Sequence, residues 1–182
     1  MKTEANKLIE DLLQMTESSG NAARKFKQLE IDQLNFKRSN EEWSILECIE
    51  HLNLYGDFYL PEIEKRILES NKKEKSLIFR SGILGNYFAN LMKVENGKIT
   101  KMKAPKDKNP ANSKLSVTTI DRFLKQQEML KSLLVQAKNT DLVKTKTAIS
   151  LTKFIRLRLG DTFRFLIYHT ERHIFQAQRV LQ

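Results

Sequence analysis

Four long segments with apolar residues at helical spacing, and no convincing strand alternation, predict an all-α fold built as an antiparallel four-helix bundle. A third observation sets its irregularity. Three of the six glycines and two of the three prolines fall within residues 71–114, which predicts a long connection between the second and third helices. The 182 residues suit a single domain spanning 1–182.

The first helical region covers Thr3–Leu34, with Leu8, Leu12 and Met15 on one face and Phe26 and Leu29 continuing the stripe. Ser18-Ser19-Gly20-Asn21 interrupts it, so the pattern predicts either two segments joined by a turn or one kinked helix. The second helix has the clearest start signal. Ser44-Ile45-Leu46-Glu47 fits a capping box, in which Ser44 accepts from the Glu47 amide and the Glu47 carboxylate reaches back to the Ser44 amide. Trp43, just before the cap, is placed to staple against Leu46 or its neighbours. Leu46, Ile49, Leu52, Tyr55, Tyr59 and Ile63 follow at helical spacing, and Pro61 is expected to kink or break the run before it resumes through Glu62–Ser70.

Within the connection, Ile78–Met92 is apolar enough to pack as a short helix, and Lys98–Pro110 reads as extended. A third helix is expected from Ser116 or Thr118 to about Lys138, its core stripe formed by Ile120, Leu124, Leu130 and Leu134. Residues 139–159 are ambiguous, because Arg156 and Arg158 interleave with Phe154, Ile155, Leu157 and Leu159. The last helix is expected after Gly160, capped by Asp161 or Thr162.

Composition excludes several classes. The longest uncharged stretch, Ser81–Met92, is too short for a membrane span, which needs about 20 apolar residues. The N-terminal MKTEANKLIEDLL lacks the apolar core of a signal peptide. The single cysteine, Cys48, excludes an internal disulfide and a multi-cysteine zinc site. A soluble cytoplasmic protein is the expectation. The net charge of +10 is local: residues 71–114 carry eleven Lys/Arg against three Asp/Glu, a net +8. Such a patch can attract nucleic acid or small anions, or simply keep the protein soluble.

The three histidines carry the chemical signal. His169 and His173 are four apart on the last helix, so their side chains share a face about 5–6 Å apart at Cβ. That spacing lets two imidazoles converge on one metal ion. His51 lies on or beside the apolar stripe of the second helix and supplies a third nitrogen if the two helices are neighbours. Three histidines with an open position suit a catalytic metal site better than a structural one. In His169-Thr170-Glu171-Arg172-His173 the glutamate is two residues after the first histidine, on the opposite face, so it cannot serve as the base of a zinc metalloprotease.

Two stretches resemble a known family. Trp43-Ser44-Ile45-Leu46-Glu47-Cys48-Ile49-Glu50-His51-Leu52 is similar to the "WS…E-hydrophobic-x-HL" signature of the DinB-like (YfiT-type) superfamily. Gly160-Asp161-Thr162 and the following Phe165–Ala177 resemble that family's final helix with its "H-x-x-x-H-x-x-Q" run, and Lys103-Ala104-Pro105-Lys106 with Pro110 resembles its middle connection. The resemblance spans most of the chain. It implies a four-helix bundle holding a divalent ion, zinc or nickel first among the candidates, on His51, His169 and His173. It also implies, from characterised relatives, thiol-dependent S-transferases and an isomerase, with a low-molecular-weight thiol as cosubstrate.

The leading expectation is therefore an enzyme that activates a water or thiol to attack a small electrophile. Glu47 or Glu50 is a candidate acid or base, Glu47 with the capping box as its competing role. Tyr55, one turn after His51, is a candidate hydrogen-bond donor to a bound ligand, or a core tyrosine. Gln176 is a candidate for orienting an imidazole or touching substrate. Cys48 reads as a buried, inert thiol. Arg172, Arg156 and Arg158 are candidates for holding an acidic substrate, against solvated or salt-bridged roles. The partner expectations are a small molecule or thiol, a homodimer, and no membrane. The alternatives are a non-catalytic metal-binding or regulatory module, or a nucleic-acid binder using residues 71–114. The last is weakened by the lack of a nucleic-acid reading motif.

Overall fold

The computed structural model describes residues 1–70, 75–95, 97–99 and 102–180. Its elements run β1 (Lys2–Glu4), α1 (Ala5–Phe26), α2 (Ile31–Asn35), α3 (Ile45–Leu68), β2 (Ile78–Arg80), α4 (Ile83–Met92), α5 (Thr118–Ala137), β3 (Lys146–Ile149), β4 (Thr152–Arg158) and α6 (Leu159–Arg179), with a 3-10 turn at Lys106–Lys108. Among the described residues the protein is mostly helical with two small antiparallel sheets. Among the described residues, no helix is long and apolar enough to cross a membrane.

The four long helices pack in pairs, α3 against α5 and α6, and α1 against the same two. One core cluster joins Leu8 and Leu12 of α1, Tyr59 and Ile63 of α3, Leu130 and Leu134 of α5, and Phe163 and Leu166 of α6. A second cluster lies around Ile45, Ile49, Phe123, Ile174 and Ala177. Between them, in the second turn of α3 and around the middle of α6, sit the three histidines.

Several local expectations are corrected. Of the two readings of Ser18-Ser19-Gly20-Asn21, the two-segment one is overturned: α1 is a single helix through the cluster. Its buried stripe of Leu12, Thr16, Ser19, Gly20 and Ala23 packs across the interruption, and tertiary packing outweighs weak local propensity. Helix α3 likewise runs through Pro61. Pro61 is exposed, so the carbonyl it deprives of a donor can be hydrated, while buried Leu60 and Ile63 hold the helix down on either side.

Helix α6 begins at Leu159, and neither Asp161 nor Thr162 caps it. Asp161 is drawn inward instead. It accepts from Ser81 Oγ, from the Gly82 amide at 2.8 Å and from Arg164 at 3.1 Å. Thr118 begins α5 but does not cap it either.

The absence of strands is also corrected. Residues 146–158 form a hairpin, pairing Lys146 with Arg158 and Thr147 with Leu157. The Arg–Leu–Arg interleaving was strand alternation that gives way to helix at Leu159. The signal was weak because Thr147 takes a core position, where its hydroxyl lies 2.6 Å from that of Thr162. The hairpin is tied to α3 by Ala148 N–H donating to Glu62 at 2.8 Å and Ser150 N–H to the Tyr59 hydroxyl at 3.2 Å.

In the connection, Ile78–Arg80 pairs with the N-terminal strand before α4 begins. Part of the segment expected to be extended is the 3-10 turn. Residues 71–74, 96, 100 and 101 of the basic stretch lie outside the described residues.

Candidate metal centre

The capping box forms as the sequence predicts. The Glu47 amide donates to Ser44 Oγ at 3.1 Å and the Ser44 amide to the Glu47 carboxylate at 2.9 Å. This sets the start of α3, and one turn later His51 points inward, 2% exposed. From α6, His169 and His173 meet it, 4% and 8% exposed. The ring centroids are 4.6 to 4.9 Å apart. One ring nitrogen from each lies within 4.8 Å of the other two.

Hydrogen bonds orient these rings. His51 Nδ1 is 2.5 Å from the Lys108 carbonyl, which only accepts, so Nδ1 carries the proton and Nε2 presents its lone pair. His173 Nδ1 is 3.0 Å from Gln176 Oε1, which has the same consequence. His169 Nδ1 is buried and without a hydrogen-bond partner among the described residues.

Burial pushes the His51 imidazole down to about 4, despite the Lys108 carbonyl. Burial, then the neighbouring histidines and Arg172, hold His169 well below the usual range. Burial, then His51 and Arg172, do the same for His173. The rings are therefore kept neutral, the form that binds metal.

The donor set fits a divalent ion. His51 Nε2 and His169 Nε2 stand 3.1 Å apart. Two nitrogens bound at about 2.05 Å to one ion would be roughly 2.9–3.4 Å apart for octahedral to tetrahedral angles. At that distance two neutral imidazoles share either a cation or the Nε2 proton of a neutral His169 tautomer, and a cation binds all three rings where the proton joins only two. Three buried histidines can thus hold one metal ion.

A cavity of about 830 Å³ opens onto the cluster. Trp43 packs 4.7 Å from His51 and 5.7 Å from His173, centroid to centroid, so its ring walls the site rather than only stapling the helix. Tyr55 lies 4.4 Å from His169 and 4.9 Å from His51. Phe165 stacks on His169 at 5.7 Å.

The other sequence candidates divide. Tyr55 and Gln176 line the cavity with the histidines. Burial, then Tyr59, pushes the Tyr55 phenol up to about 12, so it is a donor at neutral pH. Glu47 is not among the lining residues. Its carboxylate is engaged by the Ser44 amide, by Lys37 at 3.2 Å and by the Asn112 amide at 2.7 Å. Glu50 turns to Arg122 at 3.0 Å and to Asn53. Both carboxylates are thus engaged by neighbouring groups of the protein, and neither is among the described residues that line the cavity. Cys48 is fully buried, and burial raises its thiol, so it stays protonated. Arg172 lines the cavity, whereas Arg156 is exposed on the hairpin.

Sequence reasoning missed the Lys108 carbonyl, for which no side-chain signal exists. It also missed Phe165, whose position one turn before His169 was the available clue.

A comparison with protein families matches residues 14–177 to the DinB superfamily. The chain belongs to the DinB superfamily. No curated protein and no solved structure matches it. The matched span contains all three histidines, the capping box and the connection whose Lys108 carbonyl orients His51. In this DinB-superfamily chain the metal-binding potential therefore rests on both the family and the geometry of its own residues.

Proposed function

We propose that this DinB-superfamily protein is a divalent-metal-dependent enzyme, with zinc or nickel held by His51, His169 and His173, that promotes S-transfer or hydrolysis on a small electrophilic molecule. The observation that carries the reading is the convergence of three buried, neutral imidazoles at one end of a large cavity. A divalent ion held there lowers the pKa of a water or a low-molecular-weight thiol, supplying a nucleophile near neutral pH.

The chain's own groups do the rest. The Lys108 carbonyl and Gln176 Oε1 hold the protons of His51 and His173 on Nδ1, away from the cavity. Trp43, Tyr55 and Phe165 exclude water on three sides. The Tyr55 hydroxyl donates a hydrogen bond to the bound molecule. Glu47 acts at a distance, tying the segment that carries Lys108 to the start of α3 through Asn112. The pairwise packing of the four long helices supports an antiparallel four-helix bundle as the frame.

Elemental analysis of untagged protein, beside the His51→Ala/His169→Ala variant, tests the reading. About one equivalent of divalent metal is expected in the wild type and none in a variant whose circular dichroism is unchanged. No metal in the wild type after reconstitution with zinc or nickel would overturn it.

A further inference from the structure

Two apolar elements meet water at the mouth of the cavity. Helix α4 carries no charged residue, and its Phe88 and Leu91 line the cavity. Leu84 lies on the same stripe, at i, i+4 and i+7 with Phe88 and Leu91, but is exposed. Ile83, 92% exposed, and Tyr87 widen that stripe toward solvent. On the hairpin, Leu151 lines the cavity while largely exposed, and Phe154 is 97% exposed. The two elements are neighbours: β4 packs against α4, and Arg158 of β4 donates to the Arg80 carbonyl just before α4. Single apolar side chains in water are ordinary, but a group of them around one opening marks a surface that meets an apolar phase or partner. The charges around them have one sign. Residues 77–94 and 146–158 hold Arg80, Lys93, Lys146, Lys153, Arg156 and Arg158 and no Asp or Glu. Alternation along β4 puts Phe154, Arg156 and Arg158 on its outer face. Exposed Arg80 and Lys93 flank α4 at its two ends. The acids of the cavity lining, Glu41 and Glu42, come from the segment before α3, and Glu42 is paired with Arg38 at 3.0 Å.

We propose that this face docks on an anionic phospholipid surface, with Ile83, Leu84, Tyr87 and Phe154 entering the interface and the surrounding cations meeting the headgroups. Charge decides the occupant. A second copy packed through the same patch about a twofold axis would set these cations against their own images, with no carboxylate in either segment to pair them. Nucleic acid would match the cations but leave Ile83 and Phe154 in water. An anionic bilayer complements both, since its headgroup layer attracts the cations and its acyl boundary takes the apolar side chains. The expectation of no membrane partner rests on the lack of a spanning segment, and among the described residues no helix can cross a membrane. Docking at the surface needs no span, because the apolar side chains enter only about 5–10 Å. It seats the mouth of the cavity against lipid. The face stands apart from the three histidines, so it holds or fails independently of the metal reading.

The test is co-sedimentation of the full chain with vesicles of phosphatidylcholine alone and of phosphatidylcholine with about 30% phosphatidylserine, at about 0.1 M salt. The wild type is expected to bind the phosphatidylserine vesicles about tenfold or more tightly than the neutral ones, since each cation near an anionic surface contributes roughly fivefold. Ile83→Ser/Phe154→Ser, at two exposed positions, is expected to weaken that binding about tenfold with circular dichroism unchanged. Arg80→Gln/Arg156→Gln is expected to reduce the preference for phosphatidylserine. With vesicles present, hydrogen exchange should slow at residues 83–87 and 151–154. No binding by the wild type, or equal binding to the two kinds of vesicle, overturns the proposal without recourse to any variant. Wild-type affinity in Ile83→Ser/Phe154→Ser also overturns it, by showing that surface lysines elsewhere hold the lipid. So does a wild-type dimer that binds no vesicle and that the same variant dissociates in sedimentation velocity, which would give the face to a second copy.

Discussion

Replacing Arg164 by methionine tests how the roof of the cavity is held. Arg164 and Asp161 are 1% and 0% exposed and pair at 3.1 Å on α6. The Arg164 guanidinium also reaches Ser81 at 2.8 Å, Asn86 at 3.2 Å and Asn90 at 3.3 Å, all on or just before α4. Asp161 accepts from the Gly82 amide where α4 begins. This one buried network therefore fastens α4 to α6, and α4 carries Phe88, Leu91 and Met92 over the cavity.

Methionine approximates the apolar stem but leaves the Asp161 carboxylate buried without its cation. Removing one partner of a buried pair costs about 3–5 kcal/mol. Ser81 and Gly82 still donate to Asp161, which places the expectation near the lower end, about 3 kcal/mol. Urea unfolding at pH 7 measures this. Adding Asp161→Asn to Arg164→Met should cost less than the sum of the two single losses, since the second change removes the stranded charge. Hydrogen exchange should show α4 amides opening first. A loss below about 1 kcal/mol, or additive single losses, would refute the assignment of this pair as the clamp on α4.

Two further outcomes follow from the packing and from protonation. Gly160→Ala would set a methyl group 2.8 and 2.9 Å from Phe79 Cδ2 and Cζ and nearer still to Cε2. Overpacking of about 1–3 kcal/mol should then exceed the helix-propensity gain of about 1 kcal/mol, giving a net loss in thermal or urea unfolding; a more stable variant would contradict the contact. Asp141, 4% exposed, accepts from the amides of Val143 at 2.8 Å, Lys144 at 2.7 Å and Ser76 at 3.0 Å. Burial alone would raise its carboxyl, but the three amides outweigh burial and the pKa ends below 3.8. A folded value below the unfolded one means stability that is complete above the unfolded pKa and lost as pH falls through the folded one. Asp141→Asn should cost about 1–2 kcal/mol at pH 7, with the gap to wild type narrowing below pH about 3.8; a gap independent of pH would rule out the charge as its source.

Some features of this protein were legible locally because their physics is local. The capping box at Ser44–Glu47 needs only a hydroxyl and a carboxylate three residues apart on one chain. The shared face of His169 and His173 follows from 3.6 residues per turn. The resemblance of the Trp43–Leu52 and Phe165–Ala177 runs to the DinB superfamily agrees with the family match over residues 14–177.

Other expectations failed where long-range packing outweighs a short-range preference. Pro61 and the Ser18–Asn21 cluster sit in helices because neighbouring helices bury the residues on either side of them. Asp161 is a good N-cap by type, but the buried Arg164 is a stronger partner than its own helix amides. The 146–158 hairpin was obscured because Thr147 fills a core position whose hydroxyl is matched only by Thr162, a residue on the next element.

What the sequence determined by itself was the helical character, the phase of the helix bearing His51 and the pairing of His169 with His173. What only the tertiary structure decided was that His51 comes within 3.1 Å of His169, that a backbone carbonyl orients it, and that Trp43 and Arg172 become walls of the same cavity. The reason is physical. Periodicity fixes which residues share a face of one helix, but the angle and offset between helices are set by how all their side chains interlock.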